Sequence, residues 1–206
     1  MASDYLNIFV HSIFMENMIF AYFLGMCSFL AISKNVKTAF GLGVAVTFVL
    51  IIAVPLCYLL EYYVLKQGAL RWLGPAFDTV NLSFLSFILF IAVLASVVQL
   101  LEIVVERYMP ALYNSLGIFL PLIAVNCAIM GACLFMQQKN FPNVVMATTY
   151  GLGSGIGWLL AIVGMAAIRE KLSCSDIPKP LQGLGIAFII TALMGFGFMS
   201  FSGIKI

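Results

Sequence analysis

Residues 38–60 read TAFGLGVAVTFVLIIAVPLCYLL, a run without Asp, Glu, Lys or Arg. Because an α-helix rises about 1.5 Å per residue, a run of this length crosses the hydrocarbon layer of a bilayer, which is about 30 Å thick. Further uncharged runs occur along the chain, at 79–101, 108–138, 140–168 and 180–204. Residues 6–32 form one more, interrupted only by Glu16. These runs predict an all-α integral membrane protein.

The composition excludes a soluble domain. Of the 206 residues, 64% are hydrophobic and 9% are charged, whereas a typical soluble domain has about 25% charged residues. So few charges leave too little polar surface for a water-soluble globule of this size, which rules out a nucleic-acid binder or a cytosolic enzyme. The net charge of +2 is too small and too scattered to indicate an anionic polymer as partner. The five cysteines form no CxxC pair, so neither a disulfide framework nor a zinc finger is predicted.

We predict six membrane-spanning helices, near 6–32, 40–62, 80–104, 115–136, 143–168 and 181–203. Pro55 and Pro121 fall inside two of them and predict kinks. Six basic residues lie in the connections on one side, namely Lys34, Lys37, Arg107, Arg169, Lys171 and Lys179. Four lie on the other side, namely Lys66, Arg71, Lys139 and Lys205. Because Lys and Arg accumulate in cytoplasmic loops, this bias favours both termini on the outside. The first 25 residues have no basic n-region and no A-x-A site, so no cleavable signal is expected.

An internal repeat divides the chain into halves. The segment CSFLA at 27–31 has the same order of cysteine, small and large residues as CAIMG at 127–131. FGLG at 40–43 likewise matches YGLG at 150–153. We therefore expect one membrane domain, 1–206, made of two three-helix repeats over 1–108 and 109–206. With three helices in each half, the second repeat must be inverted, and inverted repeats place a functional site near the midplane where they meet.

Cys27 and Cys127 are the strongest candidates for chemistry, because each lies inside a span at the matching position of its half. A lone membrane cysteine is usually a small buried hydrophobe, but two symmetry-related thiols converge on one axis. Thiolates are soft ligands that suit iron–sulfur clusters, copper(I) or zinc. Two thiolates do not complete a four-thiolate cluster, so a cluster here requires a related partner chain. Gly25 and Asn126, close to the cysteines, predict that helices 1 and 4 are broken there, with half-helix N-termini directed at the site.

The remaining cysteines are predicted not to be ligands. Cys133 is displaced by about 120° around the helix from Cys127, Cys57 has no counterpart in the second half, and Cys174 lies in a polar loop.

Two carboxylates are candidates for an ion path. Ionisable groups inside a span usually face a cavity, a partner or an ion path; Glu16 lies in the first predicted helix and Glu102 ends the third. The alternative for Glu102 is an interfacial residue paired with Arg107 or with a neighbouring chain. The run GLGSGIG at 151–157 contains GxxxG twice, and predicts close helix packing rather than a nucleotide site.

Several segments together resemble a known family of membrane subunits. They are EN at 16–17, FLGMC at 23–27, VKT at 36–38, NSLGIFLPLI at 114–123, VNCAI at 125–129, GLGSG at 151–155, IREK at 168–171, SDIP at 175–178 and FMSFSG at 198–203. This pattern resembles the membrane subunits of the sodium-pumping NADH:quinone oxidoreductase and of its relative, the Rnf complex. The resemblance covers essentially the whole chain, and the tail and the aromatic-GLG segment fit the sodium-pump branch better.

The resemblance implies a subunit that is not catalytic alone. It implies a [2Fe-2S] cluster held by Cys27 and Cys127 together with two cysteines of a sister chain, the D subunit. Subunits A, B, C and F would be further partners, with FAD, FMN and riboflavin bound on partner subunits only. Electrons from NADH would cross the bacterial inner membrane toward quinone, coupled to Na⁺ movement, and both termini would be periplasmic. The alternatives are the A subunit of the Rnf ferredoxin:NAD oxidoreductase, a secondary carrier with inverted repeats, and a purely structural membrane subunit.

Overall fold

The computed structural model describes residues 2–65, 83–108, 123, 126–176, 178 and 181–203, and all regular secondary structure within these residues is helical. The helices are α1 (Ala2–Phe14), α2 (Met26–Ile32), α3 (Val36–Leu60), α4 (Ser86–Tyr108), α5 (Cys127–Lys139), α6 (Val144–Leu172) and α7 (Leu184–Met199). Short 3₁₀ turns precede α4 at Ser83–Leu85 and follow α7 at Ser200–Gly203.

Three helices are long and apolar enough to cross a membrane: Val36–Leu65, Ser86–Tyr108 and Val144–Leu172. The shorter α7 is also apolar. This confirms the prediction of an all-α membrane protein. The third predicted span, 80–104, ends too early, because the α-helix continues to Tyr108, and Ser83–Leu85 within it forms a 3₁₀ turn. α3 runs through Pro55 and then widens into a π-helical turn over Glu61–Leu65.

The first predicted span, 6–32, is broken, as Gly25 predicts. α1 ends at Phe14, and after a run of turns the next α-helix begins at Met26. The fully buried Asn17 supports this break, since its Nδ2 donates to the Ile13 carbonyl at 3.1 Å and its Oδ1 accepts from the Ile19 N–H at 3.0 Å. Backbone groups that a broken helix leaves without partners are thereby satisfied inside the membrane segment.

In the fourth predicted span, 115–136, the described helix α5 begins at Cys127. Asn126 has extended backbone (φ −72°, ψ 111°) and its side chain accepts a hydrogen bond from the Ala128 N–H. The part of the predicted span before residue 123, with the expected kink at Pro121, lies outside the described residues. Both cysteines of the repeat therefore lie in the first turn of a helix.

The core is organised around α6, whose most extensive contact is with α3. A Cβ on Gly155 would lie 2.8 Å from the Thr47 Cα, so a side chain there would overlap the α3 backbone. On another face of α6, a Cβ on Gly157 would lie 2.8 Å from the Ile13 carbonyl oxygen of α1. One GxxxG pattern therefore packs against α3 and the other against α1, which confirms their predicted role in close helix packing.

Candidate metal centre at the paired cysteines

The two cysteine-bearing half-helices meet at their N-terminal ends. The Gly25 N–H donates to the Cys127 Sγ at an N–S distance of 3.1 Å, and Gly25 precedes Cys27 by two residues. Gly25 has a φ of 79°, a left-handed conformation that favours glycine. The backbone before Cys27 thus lies against the thiol of Cys127.

The exposure of the two thiols differs. Cys27 is exposed on the surface of the chain and Cys127 is half-buried. Within the described part of the chain, no group of three or more His, Cys, Asp or Glu side chains that would hold a metal ion occurs. Two thiols, one of them exposed, would fit a metal group only if that group took its other ligands from a second chain.

Arg169 and Glu170, at the end of α6, bind the C-terminal end of α2 and the start of α3. Arg169 Nη1 donates to the Leu30 carbonyl at 2.9 Å and to the Ser33 Oγ at 2.8 Å. Glu170 Oε1 accepts from the Val36 N–H at 3.0 Å, at the start of α3. These bonds satisfy backbone groups that helix ends leave without partners. They also connect the orientation of α2, and therefore of Cys27, to the rigid helix α6.

Polar atoms of two buried side chains lie close to Gly25. A Cβ on Gly25 would be 2.8 Å from the Trp158 Nε1 and 2.9 Å from the Asn126 Oδ1. Trp158 is fully buried and Asn126 nearly so. The Trp158 Nε1 and the Asn126 Nδ2 are buried donors without a hydrogen-bond partner in the described structure. Sequence patterns did not assign Trp158 to the site, because it follows Cys127 by 31 residues and only tertiary packing brings it to Gly25.

The three other cysteines lie elsewhere. Cys57 of α3 and Cys133 of α5 are buried in the core, and Cys174 is exposed in the segment after α6. That none of them is a ligand stays a prediction.

Glu16 lies immediately after α1 and has a partner that the sequence did not reveal. Its carboxylate forms an ion pair with the Lys139 ammonium at the end of α5, and the His11 Nδ1 is 3.6 Å from the same carboxylate. The Glu16 side chain is only 17% exposed, and the Lys139 Nζ also lies 4.9 Å from the centre of the Tyr150 ring. This arrangement neutralises a carboxylate that would otherwise be costly within a membrane protein.

Glu102 lies on α4, one helical turn after Val98, and continues the line of buried side chains formed by Phe90, Leu94 and Val98. Its Oε2 is 3.5 Å from the Gln99 Nε2. Among the described residues, no ion pair joins Glu102 to Arg107, which is the alternative that the sequence left open.

These features define an integral membrane protein in which the backbone before Cys27 lies against the Cys127 thiol. Residues 5–205 match the family described as "Rnf-Nqr subunit, membrane protein", and the chain belongs to this family.

The chain is also similar to proteins named as the E subunit of Na(+)-translocating NADH-quinone reductase. Identity is 56% with the protein of Proteus mirabilis, over 98% of each chain. It is 57% with that of Klebsiella pneumoniae subsp. pneumoniae, over 99% of this chain and 100% of the relative. It is 56% with that of Maridesulfovibrio salexigens, over 97% of each chain. The resemblance to the sodium-pump branch is thereby confirmed.

Proposed function

We propose that this chain is a membrane subunit of a Na⁺-translocating NADH–quinone reductase, corresponding to the E subunit of its relatives. The observation that carries the proposal is the similarity to proteins of that name over nearly the whole length of both chains. The cysteine arrangement supports it, since Cys27 and Cys127 lie in first helical turns that meet through the Gly25 N–H bond to the Cys127 Sγ, and two thiolates would supply half of a four-thiolate ligand set. Subunits A, B, C, D and F are the proposed partners, with FAD, FMN and riboflavin on partner chains.

Cys27 and Cys127 are the residues proposed to ligate a [2Fe-2S] cluster, with two further cysteines from the D subunit. Such a group, when bound, accepts and donates one electron at a time. The chain's own contribution is to hold the two thiols in first helical turns and to donate the Gly25 N–H to the Cys127 sulfur. α2 and α5 orient the two ligands, and α6 anchors α2 through Arg169.

We further propose that the chain consists of two inverted three-helix repeats, 1–108 and 109–206. The equivalent starts of α2 and α5 at the repeated cysteine segment support this division, as does the pairing of α3 with α6, which carry the repeated GLG segment. The proposed location is the bacterial inner membrane, with both termini periplasmic.

A reporter fused after Ile206 tests this topology. An enzyme that is active only in the periplasm should be active at this position, because the proposed arrangement places the C-terminus there. A reporter that requires the cytoplasm should be inactive at the same site. Activity of the cytoplasmic reporter would contradict the proposed orientation.

Glu16 and Glu102 are proposed to contribute to a cation path. The proposal for Glu16 is supported by its low exposure and by its ion pair with Lys139. A carboxylate that already binds the Lys139 ammonium is a site at which Na⁺ can compete. Glu102 is supported by its place at the end of the buried stripe of α4.

Deletion of the chain from its native host tests the proposed function. Membranes should lose Na⁺-stimulated NADH:quinone reduction, and a plasmid copy should restore it. A Glu102→Gln copy, which keeps the side-chain size but removes the charge, should restore activity with an increased Na⁺ requirement, whereas an unchanged requirement would remove Glu102 from the proposed path. Unaltered quinone reduction after deletion would contradict the function. Loss of ferredoxin-dependent NAD reduction instead would favour the Rnf alternative, and Na⁺-dependent uptake by the chain alone would favour a carrier.

A further inference from the structure

Two helix ends bring a carboxylate and an ammonium group together. Glu16 follows the end of α1, where its N–H donates to the His11 carbonyl at 2.9 Å. Lys139 is the last residue of α5, and its ammonium forms an ion pair with the Glu16 carboxylate. The side chain of Glu16 is 17% exposed and that of Lys139 is 33% exposed. Because α5 ends here and the connection 140–143 to α6 follows, this pair lies at the ends of helices, where an ion from solution reaches it.

The Lys139 ammonium has a second attractive neighbour. Its Nζ lies 4.9 Å from the centre of the Tyr150 ring, within the distance of about 6 Å at which an aromatic face attracts a cation. The Tyr150 ring is held in place by the core, since this side chain is only 1% exposed. A lysine carries its charge on a flexible four-carbon stem. Rotation of that stem therefore moves the ammonium from the carboxylate towards the ring.

Exchange of the cation at Glu16 is energetically inexpensive. The desolvation of two charges offsets much of their attraction, so a shielded ion pair adds little to stability. A carboxylate without any counter-charge, in contrast, is costly in a membrane protein. The His11 Nδ1 is a further neighbour, 3.6 Å from the same carboxylate. Replacement of the Lys139 ammonium by another cation thus keeps the carboxylate neutralised, whereas an empty site does not.

We infer that Lys139 is a tethered cation that occupies the Glu16 carboxylate in the absence of Na⁺, and that Na⁺ displaces its ammonium towards the Tyr150 ring. This inference rests on the proposed function, because it names how the proposed Glu16 site is regulated. Lys139 then sets the Na⁺ concentration at which the site fills, since both cations compete for the same oxygens.

The test is the Na⁺ concentration for half-maximal NADH:quinone reduction by the purified complex, with choline keeping the ionic strength constant. Lys139→Gln removes the competing ammonium and should lower this concentration about fivefold, as expected for an ion pair of moderate strength. Lys139→Arg should raise it instead, because a planar guanidinium binds a carboxylate through two hydrogen bonds. Lys171→Gln is the matched control, since Lys171 is an exposed lysine at the end of α6. Its half-maximal concentration should be unchanged.

A second measurement does not depend on turnover. Because a bound ligand stabilises the folded state, replacing choline by Na⁺ should raise the thermal unfolding midpoint of the complex. The rise should be larger in Lys139→Gln than in the unsubstituted complex, and smaller in Glu16→Gln. If Lys139→Gln does not assemble, Lys139→Arg decides the question, because it keeps the charge pair.

The outcomes separate this inference from the proposed function. An unsubstituted complex without Na⁺-stimulated quinone reduction would overturn the proposed function itself. Normal stimulation with an unchanged or raised half-maximal concentration in Lys139→Gln would overturn only the inference. An unchanged or lowered concentration in Lys139→Arg would also overturn it, since a stronger tethered competitor must demand more Na⁺. An equal decrease in Lys171→Gln would overturn it as well, because the loss of any positive charge would then have the same effect.

Discussion

Cys27→Ser and Cys127→Ser are each expected to remove most of the iron from the purified complex and to abolish NADH-driven quinone reduction. Serine nearly conserves the side-chain volume but replaces a soft thiolate with a hard, poorly ionised hydroxyl. Each thiol is proposed to be one of four ligands, and among the described residues no group of three or more His, Cys, Asp or Glu side chains offers a substitute. Reduction of the upstream flavins should survive, because those cofactors are proposed to lie on partner subunits.

Cys174→Ser is the matched control, because Cys174 is an exposed thiol at which serine meets water. Cys57→Ser and Cys133→Ser test the two buried thiols, and their iron content should also be close to that of the unsubstituted complex. The measurements are iron per complex and the resonance signal after reduction. A full signal in Cys27→Ser or Cys127→Ser would contradict the ligand assignment. Damage in Cys133→Ser equal to that in Cys127→Ser would show that the second ligand of the repeat was wrongly chosen.

Loss of the shared ligands should also weaken the assembly of the complex. When a metal group takes ligands from two chains, its binding free energy adds to their association. Cys27→Ser is therefore expected to reduce the amount of the D subunit that co-purifies with this chain, whereas Cys174→Ser is expected to leave it unchanged. The same preparations provide both readouts.

The membrane class of the fold and the approach of the two cysteine-bearing helix starts were predictable because both depend on local or periodic sequence features. Uncharged runs predicted the long helices α3, α4 and α6 directly, since length and polarity alone decide whether a helix can cross the bilayer. The repeat around Cys27 and Cys127 singled out two helix starts, and the structure places the backbone before Cys27 against the Cys127 thiol; their role as ligands stays a prediction. In both cases the information lies within about 30 residues of chain, or in a comparison of the chain with itself.

The remaining features depend on contacts between distant residues. Glu16 was predicted to be a group inside a span, but its ion pair with Lys139 joins residues from opposite halves of the sequence. Similarly, Asn17 Nδ2 donates to the Gly157 carbonyl at 2.8 Å, so the broken first span is held by α6. A single sequence carries no pattern that links such positions, and their roles follow only from the packed structure.

Gly155→Ala is expected to destabilise the chain by about 1–3 kcal/mol, the usual effect of overpacking a close contact. Its new methyl carbon would lie 2.8 Å from the Thr47 Cα, and the atom in the way is backbone, which cannot rotate aside. α3 and α6 would have to separate along their most extensive contact. In a membrane, helix association depends on close packing rather than on the hydrophobic effect, so the lost contacts are not regained elsewhere.

The sign of this effect makes the test specific, since Ala in a helix interior is ordinarily more stable than Gly by about 0.5–1 kcal/mol. Gly197→Ala and Gly185→Ala, both in α7, are the controls: a Cβ at Gly197 meets nothing within 4 Å, and one at Gly185 meets only the Leu181 Cδ2, at 3.8 Å. The controls should leave the thermal unfolding midpoint of the detergent-purified complex unchanged or raise it slightly, while Gly155→Ala should lower it. Equal midpoints in all three variants would mean that α3 and α6 approach less closely at Gly155 than the structure places them.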